Sequence, residues 1–172
     1  MCIRDRVNDV YKARGLNIGK SLVSDGSTDI SDIVLNPKLI VADDVVAHQD
    51  GDLIKVYIKK VSEVGSNDII VDAGPSLIET LRPVVANAKF VLWNGPLGNY
   101  ELGFTDQTIA CAKLLVESGV KGAIGGGDTV AAVKSLGLDN SSDQSNLFVS
   151  TGGGAMIDFL VNETLPGVEA LR

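Results

Sequence analysis

Apolar and polar positions follow two different periods along the chain. Short apolar runs, bounded by Gly, Pro, Asn or Asp, are typical of buried strands. Between these runs, apolar residues recur at helical spacing, as in Leu77, Ile78 and Leu81 after Pro75. The runs predict strands at 39–42, 55–59, 69–72, 90–93, 121–124 and 147–149. The helical spacing predicts helices that begin at Pro75, at Thr105 or Asp106, at Thr129 and after Gly154.

Alternating strands and helices indicate βαβ units with right-handed crossovers and a mainly parallel sheet. We therefore predict an α/β domain with a doubly wound, Rossmann-like arrangement in three layers. Residues 1–12, MCIRDRVNDVYK, join neither period, and we expect them to be non-native or disordered. The domain is then expected to comprise residues 13–172, with a solvated loop at Asp139–Asn146.

Glycine-containing loops follow four of the predicted strands, at 73–74, 94–98, 125–128 and 150–154. If their strands are neighbours, these loops lie along one rim of the sheet, where such folds bind ligands. Glycines before a helix let a phosphate reach the unpaired N–H groups of its first turn. The 125–128 loop fits that use, although a flexible turn is the alternative. The 150–154 loop repeats the device, and two such helix starts favour a polyphosphate or a transferring phosphoryl group.

Two carboxylates near these loops each have two interpretations. Asp128 either caps the helix that follows its loop or holds a Mg²⁺ ion that bridges to phosphates. Magnesium suits the second interpretation because it binds through one or two carboxylates together with phosphate oxygens. Glu101 follows the 94–98 loop and is either a surface carboxylate or an acceptor for ribose hydroxyls.

Composition narrows the classes of function. The chain has 172 residues and a net charge of −7, which argues against a general binder of nucleic acid or of anionic membranes. Cys2 and Cys111 form no metal spacing, and Cys111 is expected to be a buried apolar residue in a reducing, cytoplasmic setting. The single histidine, His48, is expected at the surface, so we expect no His-based triad. No apolar run approaches the roughly 18 residues of a membrane span, and we expect no signal peptide.

Two other nucleotide-binding motifs fail on inspection. The stretch GLNIGKS resembles a Walker loop, but the required first glycine would fall at Arg14. A dinucleotide fingerprint that starts at Gly125 needs Gly or Ala where Val130 stands, and one that starts at Gly152 meets Ile157. We therefore expect neither a P-loop nor a conventional NAD site.

Three stretches together closely resemble the phosphoglycerate kinase family: WNGPLGNYE, GGGDT and STGGGA. VDAGP and LPGVEAL add to the match, which runs in the family's order from about residue 13 to the end. The resemblance implies that 13–172 is the C-terminal, nucleotide-binding domain of a two-domain enzyme, incomplete at its N-terminal side. It also implies transfer of a phosphoryl group between 1,3-bisphosphoglycerate and ADP, or 3-phosphoglycerate and ATP, with Mg²⁺, in cytoplasmic glycolysis.

The same resemblance assigns roles to individual residues. Asp128 is implied to face the metal and Glu101 to contact the ribose. The implied nucleotide-binding set is Asn94, Glu101, Gly125, Gly126, Gly127, Asp128 and Thr129. The glycines implied to stabilise the transferring phosphoryl group are Gly152, Gly153 and Gly154.

The chain also departs from the family pattern. The N-terminal domain, through which 3-phosphoglycerate binds, has no counterpart here, and Ile70 stands where the family commonly has glycine. The usual motif after Glu101 comes one residue closer, at Phe104–Thr108. We expect the full-length enzyme to be a monomer and this fragment alone to lack turnover. The alternatives are a stand-alone nucleotide-binding module without catalysis and a folded fragment that binds nothing.

Overall fold

The computed structural model describes residues 3–24, 29–49, 51–52, 54–134, 136–137 and 146–171, with side chains from residue 6 onward. Its helices are α1 (Ile3–Ala13), α2 (Ser31–Val34), α3 (Ser76–Asn87), α4 (Asp106–Ser118), α5 (Gly127–Lys134), α6 (Gly153–Asn162) and α7 (Pro166–Glu169). Its strands are β1 (Asp44–Gln49), β2 (Val56–Lys60), β3 (Asp68–Ala73), β4 (Val91–Asn94), β5 (Gly122–Gly125) and β6 (Leu147–Ser150). The described strands form two three-stranded sheets, ordered β2-β1-β3 and β4-β5-β6.

The sheet β4-β5-β6 is parallel and, with its helices, confirms the predicted α/β class. Both crossovers, through α4 and α5, advance in the same direction, and right-handed connections then put both helices on one face. Trp93, Ile124 and Leu147 belong to the core that α3, α4 and α5 complete. Phe148, by contrast, is 62% exposed. These two βαβ units therefore form one half of the predicted doubly wound arrangement, the half in which the crossover helices cover one face of the sheet.

The sheet β2-β1-β3 is antiparallel and was not predicted. β1 runs through a stretch whose polar residues suggest a loop, and it buries His48 to 4% exposure. The prediction of a surface histidine was therefore wrong, because pairing on both sides by β2 and β3 encloses the central strand. The predicted strands at 55–59 and 69–72 are found as β2 and β3, although β2 is mostly exposed.

The predicted strand at 39–42 does not form. This stretch pairs with no strand in the part of the chain that the structure describes, and the Leu39 N–H instead donates to the Asn36 carbonyl in a turn. Ala42 is nevertheless buried in the main core. An apolar run predicts burial, but a strand also needs a neighbour that accepts and donates backbone hydrogen bonds.

Residues 3–12 are folded in the structure, although we expected residues 1–12 to be non-native or disordered. Residues 3–12 form most of α1, in which Val7, Val10 and Tyr11 share one face at helical spacing. Tyr11 is only 1% exposed, and its hydroxyl donates to the Ala42 carbonyl at 2.8 Å. Tyr11 packs in a second apolar cluster with Val45 of β1 and Ile70 of β3. Three apolar positions among charged ones make a weak helical pattern, which is why the sequence did not reveal this helix.

The remaining predicted helices are present with small shifts at their ends. Pro75 precedes α3, and Gly119 ends α4 in the left-handed conformation with φ of 66°. Cys111 is buried in α4, as expected. The Asp139–Asn146 loop lies outside the described residues except for Asn146. Among the described residues, no helix has the length and apolar character needed to cross a membrane.

Candidate functional site

Three of the four glycine-containing loops meet at one edge of the parallel sheet. The register aligns Asn94, Gly125 and Ser150, the last residues of β4, β5 and β6. The predicted shared rim is therefore correct for these loops. The fourth loop, at Ala73–Gly74, was wrongly included: it follows an antiparallel strand, and its Gly74 packs closely against the side chain of Asp44.

The turn between β5 and α5 depends on Gly126. Its φ of +95° lies in a region that residues other than glycine rarely adopt. A Cβ at this position would stand 3.0 Å from Asn94 Oδ1 and 3.4 Å from Thr129 Oγ1. Thr129 itself is fully buried, and its hydroxyl accepts a hydrogen bond from the Gly95 N–H at 3.1 Å. The turn is thus fixed against the loop that follows β4.

Gly153 brings the start of α6 into contact with the same turn. A Cβ on Gly153 would stand 2.5 Å from Asn94 Oδ1 and 2.7 Å from the Gly126 Cα, which is closer than real Cβ contacts. Gly152 is the residue before the helix, and Gly154 faces open space. Only a residue without a side chain allows α6 to approach α5 this closely.

Two helix N-termini therefore converge on one point. The first intrahelical bonds run from Val130 N to Gly126 O at 2.9 Å and from Met156 N to Gly152 O at 2.8 Å. The N–H groups of 127–129 and 153–155 consequently have no acceptor within their own helices. Each helix start also carries the positive end of a helix dipole. Two such ends in contact repel each other unless an anion lies between them, so this edge of the sheet is suited to phosphate.

The Asn94 side chain lies between the two helix starts. Its Oδ1 atom is buried and makes no hydrogen bond among the described residues. An unsatisfied buried polar atom costs about 1–3 kcal/mol. The carboxamide has an acceptor end and a donor end, and either can bind a ligand. Among the described residues, the unsatisfied Asn94 side chain is the clearest indication that this edge of the sheet binds a polar ligand.

Asp128 is the second residue of α5 and is exposed. The capping interpretation does not fit this position, because Gly126 stands where the cap would be. Without a ligand, its carboxylate stabilises α5 through the helix dipole. The described residues contain no group of three or more His, Cys, Asp or Glu side chains that could hold a metal alone. A single carboxylate still suits Mg²⁺ that arrives with phosphate oxygens.

Glu101 is exposed and lies on a 3-10 turn, Tyr100–Leu102. The base of this segment is held firmly. The Asn99 N–H donates to the Val71 carbonyl at 2.7 Å, and the Leu97 N–H donates to the buried Thr108 hydroxyl at 2.9 Å. The segment therefore presents Glu101 from a fixed support on β3 and α4.

Asp72 is a buried carboxylate that the sequence analysis missed. It lies near the end of β3, accepts hydrogen bonds from Ala73 N at 2.8 Å and Gln107 N at 3.3 Å, and lies against Gly98. Burial raises the pKa of Asp72 from 3.8 to about 7; the two hydrogen bonds oppose that rise and the nearby Asp106 charge adds to it. The sequence signal available for Asp72 was its position as a polar residue at the end of an apolar run. Asn94 ends an apolar run in the same way.

A separate cavity of about 170 Å³ lies between α1, α2, β1, β3 and α3. Its lining is almost wholly apolar and includes Val10, Tyr11, Ile70 and Leu77. Such a lining offers little to a phosphate. The convergent N–H groups at the sheet edge therefore form the better candidate site for a phosphate.

Comparisons with known proteins point to one family. The model of the family described as phosphoglycerate kinase matches residues 7–163. A phosphoglycerate kinase of Chlorobium phaeobacteroides is 40% identical over 173 residues, covering 94% of this chain and 43% of that protein. One from a Wolbachia of Brugia malayi is 36% identical and covers 91% of this chain and 41% of that protein.

Solved structures agree with the sequence comparisons. The phosphoglycerate kinase of Coxiella burnetii superimposes with a TM-score of 0.79 at 34% identity, covering 96% of this chain and 44% of that one. The chain therefore spans less than half the length of the relatives it matches. The family match begins inside α1, at residue 7, so part of the excluded segment 1–12 resembles the family too.

Proposed function

Because the chain belongs to the phosphoglycerate kinase family, we propose that it supplies the Mg-nucleotide site of an enzyme that moves a phosphoryl group between 1,3-bisphosphoglycerate and ADP. The observation that carries this proposal is the convergence of the α5 and α6 N-termini on the unsatisfied Asn94 side chain. The reverse direction uses 3-phosphoglycerate and ATP. We place the reaction in cytoplasmic glycolysis.

The nucleotide phosphates bind at the start of α5. The backbone N–H groups of Gly127, Asp128 and Thr129 donate to phosphate oxygens, and the Asn94 carboxamide adds a side-chain contact. Gly125 and Gly126 have no side chains, which lets this nucleotide-binding turn lie directly against Asn94. Glu101, on its braced segment, accepts hydrogen bonds from the ribose hydroxyls.

The phosphoryl group in transfer binds at the start of α6. Gly152, Gly153 and Gly154 leave the N–H groups at this helix start accessible, and the helix dipole favours the negative charge that spreads over the phosphoryl oxygens. Phosphoryl transfer relies mainly on positioning and electrostatic stabilisation, so this half of the site requires no nucleophilic side chain.

Asp128 is the residue that would hold Mg²⁺. The fit rests on its donor set, because one exposed carboxylate at a phosphate-binding helix start leaves the other positions to phosphate oxygens and water. When bound, the ion would neutralise part of the phosphate charge.

Turnover requires the acceptor to be held in line with the donor. We propose that 3-phosphoglycerate binds through a part of the enzyme beyond this chain, that the chain alone does not turn over, and that the full-length enzyme is a monomer. A stand-alone nucleotide-binding module without catalysis is the second candidate. A coupled assay of turnover can separate the two candidate functions only when it is run on a longer protein. Nucleotide binding is expected for both candidates.

Calorimetric titration with ADP, with and without magnesium, tests the proposal on the wild type and on Asp128→Asn. We expect the variant to weaken Mg-ADP binding by more than the roughly 0.5–2 kcal/mol of a lost helix cap. Metal-free ADP should lose less affinity, or gain some, because a negative charge near the phosphates is gone. Asp106→Asn, which removes a first-turn carboxylate from α4, is the matched control and should leave the effect of magnesium unchanged. Equal losses of ADP affinity with and without magnesium would mean that Asp128 only stabilises α5 and does not hold the metal.

A further inference from the structure

The segment that carries Glu101 begins and ends over the same buried side chain. We propose that Asp72 is a positioning residue whose carboxylate joins the two ends of the segment Gly98–Gln107 and so holds Glu101 where a nucleoside binds. This inference rests on the proposed function, because it concerns the part of the nucleotide beyond the phosphates. Nothing in it requires Asp72 to touch the ligand.

The incoming end of the segment packs against the carboxyl group. A Cβ on Gly98 would stand 2.5 Å from Asp72 Cγ and 2.7 Å from Oδ1. Gly98 does not have a positive φ, so its small size, and not its backbone freedom, is what the position requires. The Gly98 backbone therefore lies directly on the Asp72 side chain.

The outgoing end bonds to the other carboxylate oxygen. The Gln107 N–H, in the first turn of α4, donates to Asp72 Oδ2 at 3.3 Å, while Ala73 N holds Oδ1 at 2.8 Å. Each oxygen thus has a backbone donor, and the two donors fix the plane of the carboxyl group. A carboxylate at the N-terminus of α4 is also favoured by the helix dipole.

The surroundings of Asp72 make a carboxylate costly. It is 4% exposed, and its neighbours along the wall of the apolar cavity include Val71, Leu77 and Leu97. An apolar residue would fill this position at lower cost to folding. An apolar residue, however, cannot accept a hydrogen bond from the Gln107 N–H and so cannot fix the base of the segment.

The test compares ADP with inorganic pyrophosphate, each with magnesium, on the wild type and on Asp72→Asn. Pyrophosphate lacks the nucleoside, so it reports the helix starts alone. We expect Asp72→Asn to weaken ADP binding roughly tenfold, the size of one lost hydrogen bond, and to leave pyrophosphate binding within about twofold. In a Glu101→Ala background the same substitution should have little further effect, because Asp72 acts through Glu101.

Asp68→Asn is the matched control. Asp68 is 3% exposed, stands at the other end of the same strand, and accepts Gly65 N at 2.6 Å and Lys59 Nζ at 2.7 Å. Because these partners lie outside the Glu101 segment, the substitution should destabilise the fold without changing the preference for ADP over pyrophosphate. Equal losses for both ligands in Asp72→Asn, or no loss, would overturn the inference while leaving the proposed function intact. A wild type that binds neither ligand would overturn both.

A measurement on the unaltered chain covers the case in which Asp72→Asn does not fold. The ¹³C resonance of the Asp72 carboxyl group should shift when ADP is added, because the segment tightens over it, and should not shift with pyrophosphate. A resonance that ignores ADP under saturating conditions, or that moves equally with both ligands, contradicts the proposal.

Discussion

The hydroxyl of Thr129 accepts a hydrogen bond from the backbone N–H of Gly95 at 3.1 Å. This bond joins the loop after β4 to the first turn of α5, and Thr129 is 0% exposed. It sets the distance between Asn94 and the glycine turn. Thr129 therefore shapes the candidate site by bracing it from behind, while its backbone N–H belongs to the helix start.

Thr129→Val should lower both stability and Mg-ADP affinity. Valine has nearly the same shape, but it leaves the partly buried Gly95 N–H without an acceptor, which costs up to about 1–3 kcal/mol. Thr129→Ser keeps the hydroxyl and should retain binding despite a small packing loss. Denaturant unfolding and calorimetric titration on the three proteins check this. Similar binding by the valine and serine variants would show that the brace is not needed.

Gly153→Ala should separate the starts of α5 and α6. The new methyl group would meet Asn94 Oδ1 and the Gly126 backbone, and overpacking of this kind costs roughly 1–3 kcal/mol. We expect phosphate-ligand binding to weaken more than folding does. Gly154→Ala is the control, because its Cβ points into open space and alanine stabilises a helix by about 0.5–1 kcal/mol over glycine. If a folded Gly153→Ala protein bound the ligand as well as the wild type does, the three glycines would have a role only in the turn and not in binding.

Asp72 should make the stability of the chain depend on pH. Its pKa is raised from 3.8 to about 7 by burial, so between those values the folded state holds a proton that the unfolded state has lost. Stability from this group is then fully present below about pH 3.8 and falls as pH rises toward 7, by up to about 1.4 kcal/mol per pH unit. Asp72→Asn should flatten that fall in urea titrations at a series of pH values. Parallel curves for the two proteins would show that Asp72 is ionised throughout.

Removal of residues 1–12 should destabilise the fold, whereas removal of residues 1–6 should be tolerated better. The longer deletion removes Val10 and Tyr11, and with Tyr11 it removes the 2.8 Å bond to the Ala42 carbonyl. Losing part of a buried apolar cluster costs several kcal/mol, at about 1.5–3 kcal/mol for each large side chain. Thermal unfolding of the two truncated chains decides the matter, and equal melting temperatures would mean that α1 contributes little.

The elements that sequence patterns predicted best are those with strong local signals. The strands β4, β5 and β6 are apolar runs, and their ends are marked by Asn94, Gly125 and Ser150. Glycine-rich helix starts are also local, so residue order located the three loops that lie on the rim of the parallel sheet, although it did not exclude the loop at 73–74. The contact between Gly153 and Gly126 depends only on neighbouring strands and short loops.

The features that sequence patterns missed depend on tertiary partners. β1 is mixed in polarity and is buried because two other strands enclose it, which no local pattern records for His48. The run at 39–42 has the composition of a strand but lacks a partner among the described strands. Asp72 gains its importance from Gly98 and Gln107, which are distant in sequence and meet over it only in the folded chain.

The central claim is that the starts of α5 and α6 hold the phosphates of a nucleotide, and amide NMR of the ¹⁵N-labelled chain tests it most directly. We predict that Mg-ADP and magnesium pyrophosphate both shift the N–H resonances of Gly126–Thr129 and Gly153–Ala155, with the Asn94 side-chain amide. Only ADP should also shift the Glu101 segment. Binding that leaves both helix starts unmoved, while other resonances shift, would contradict the account.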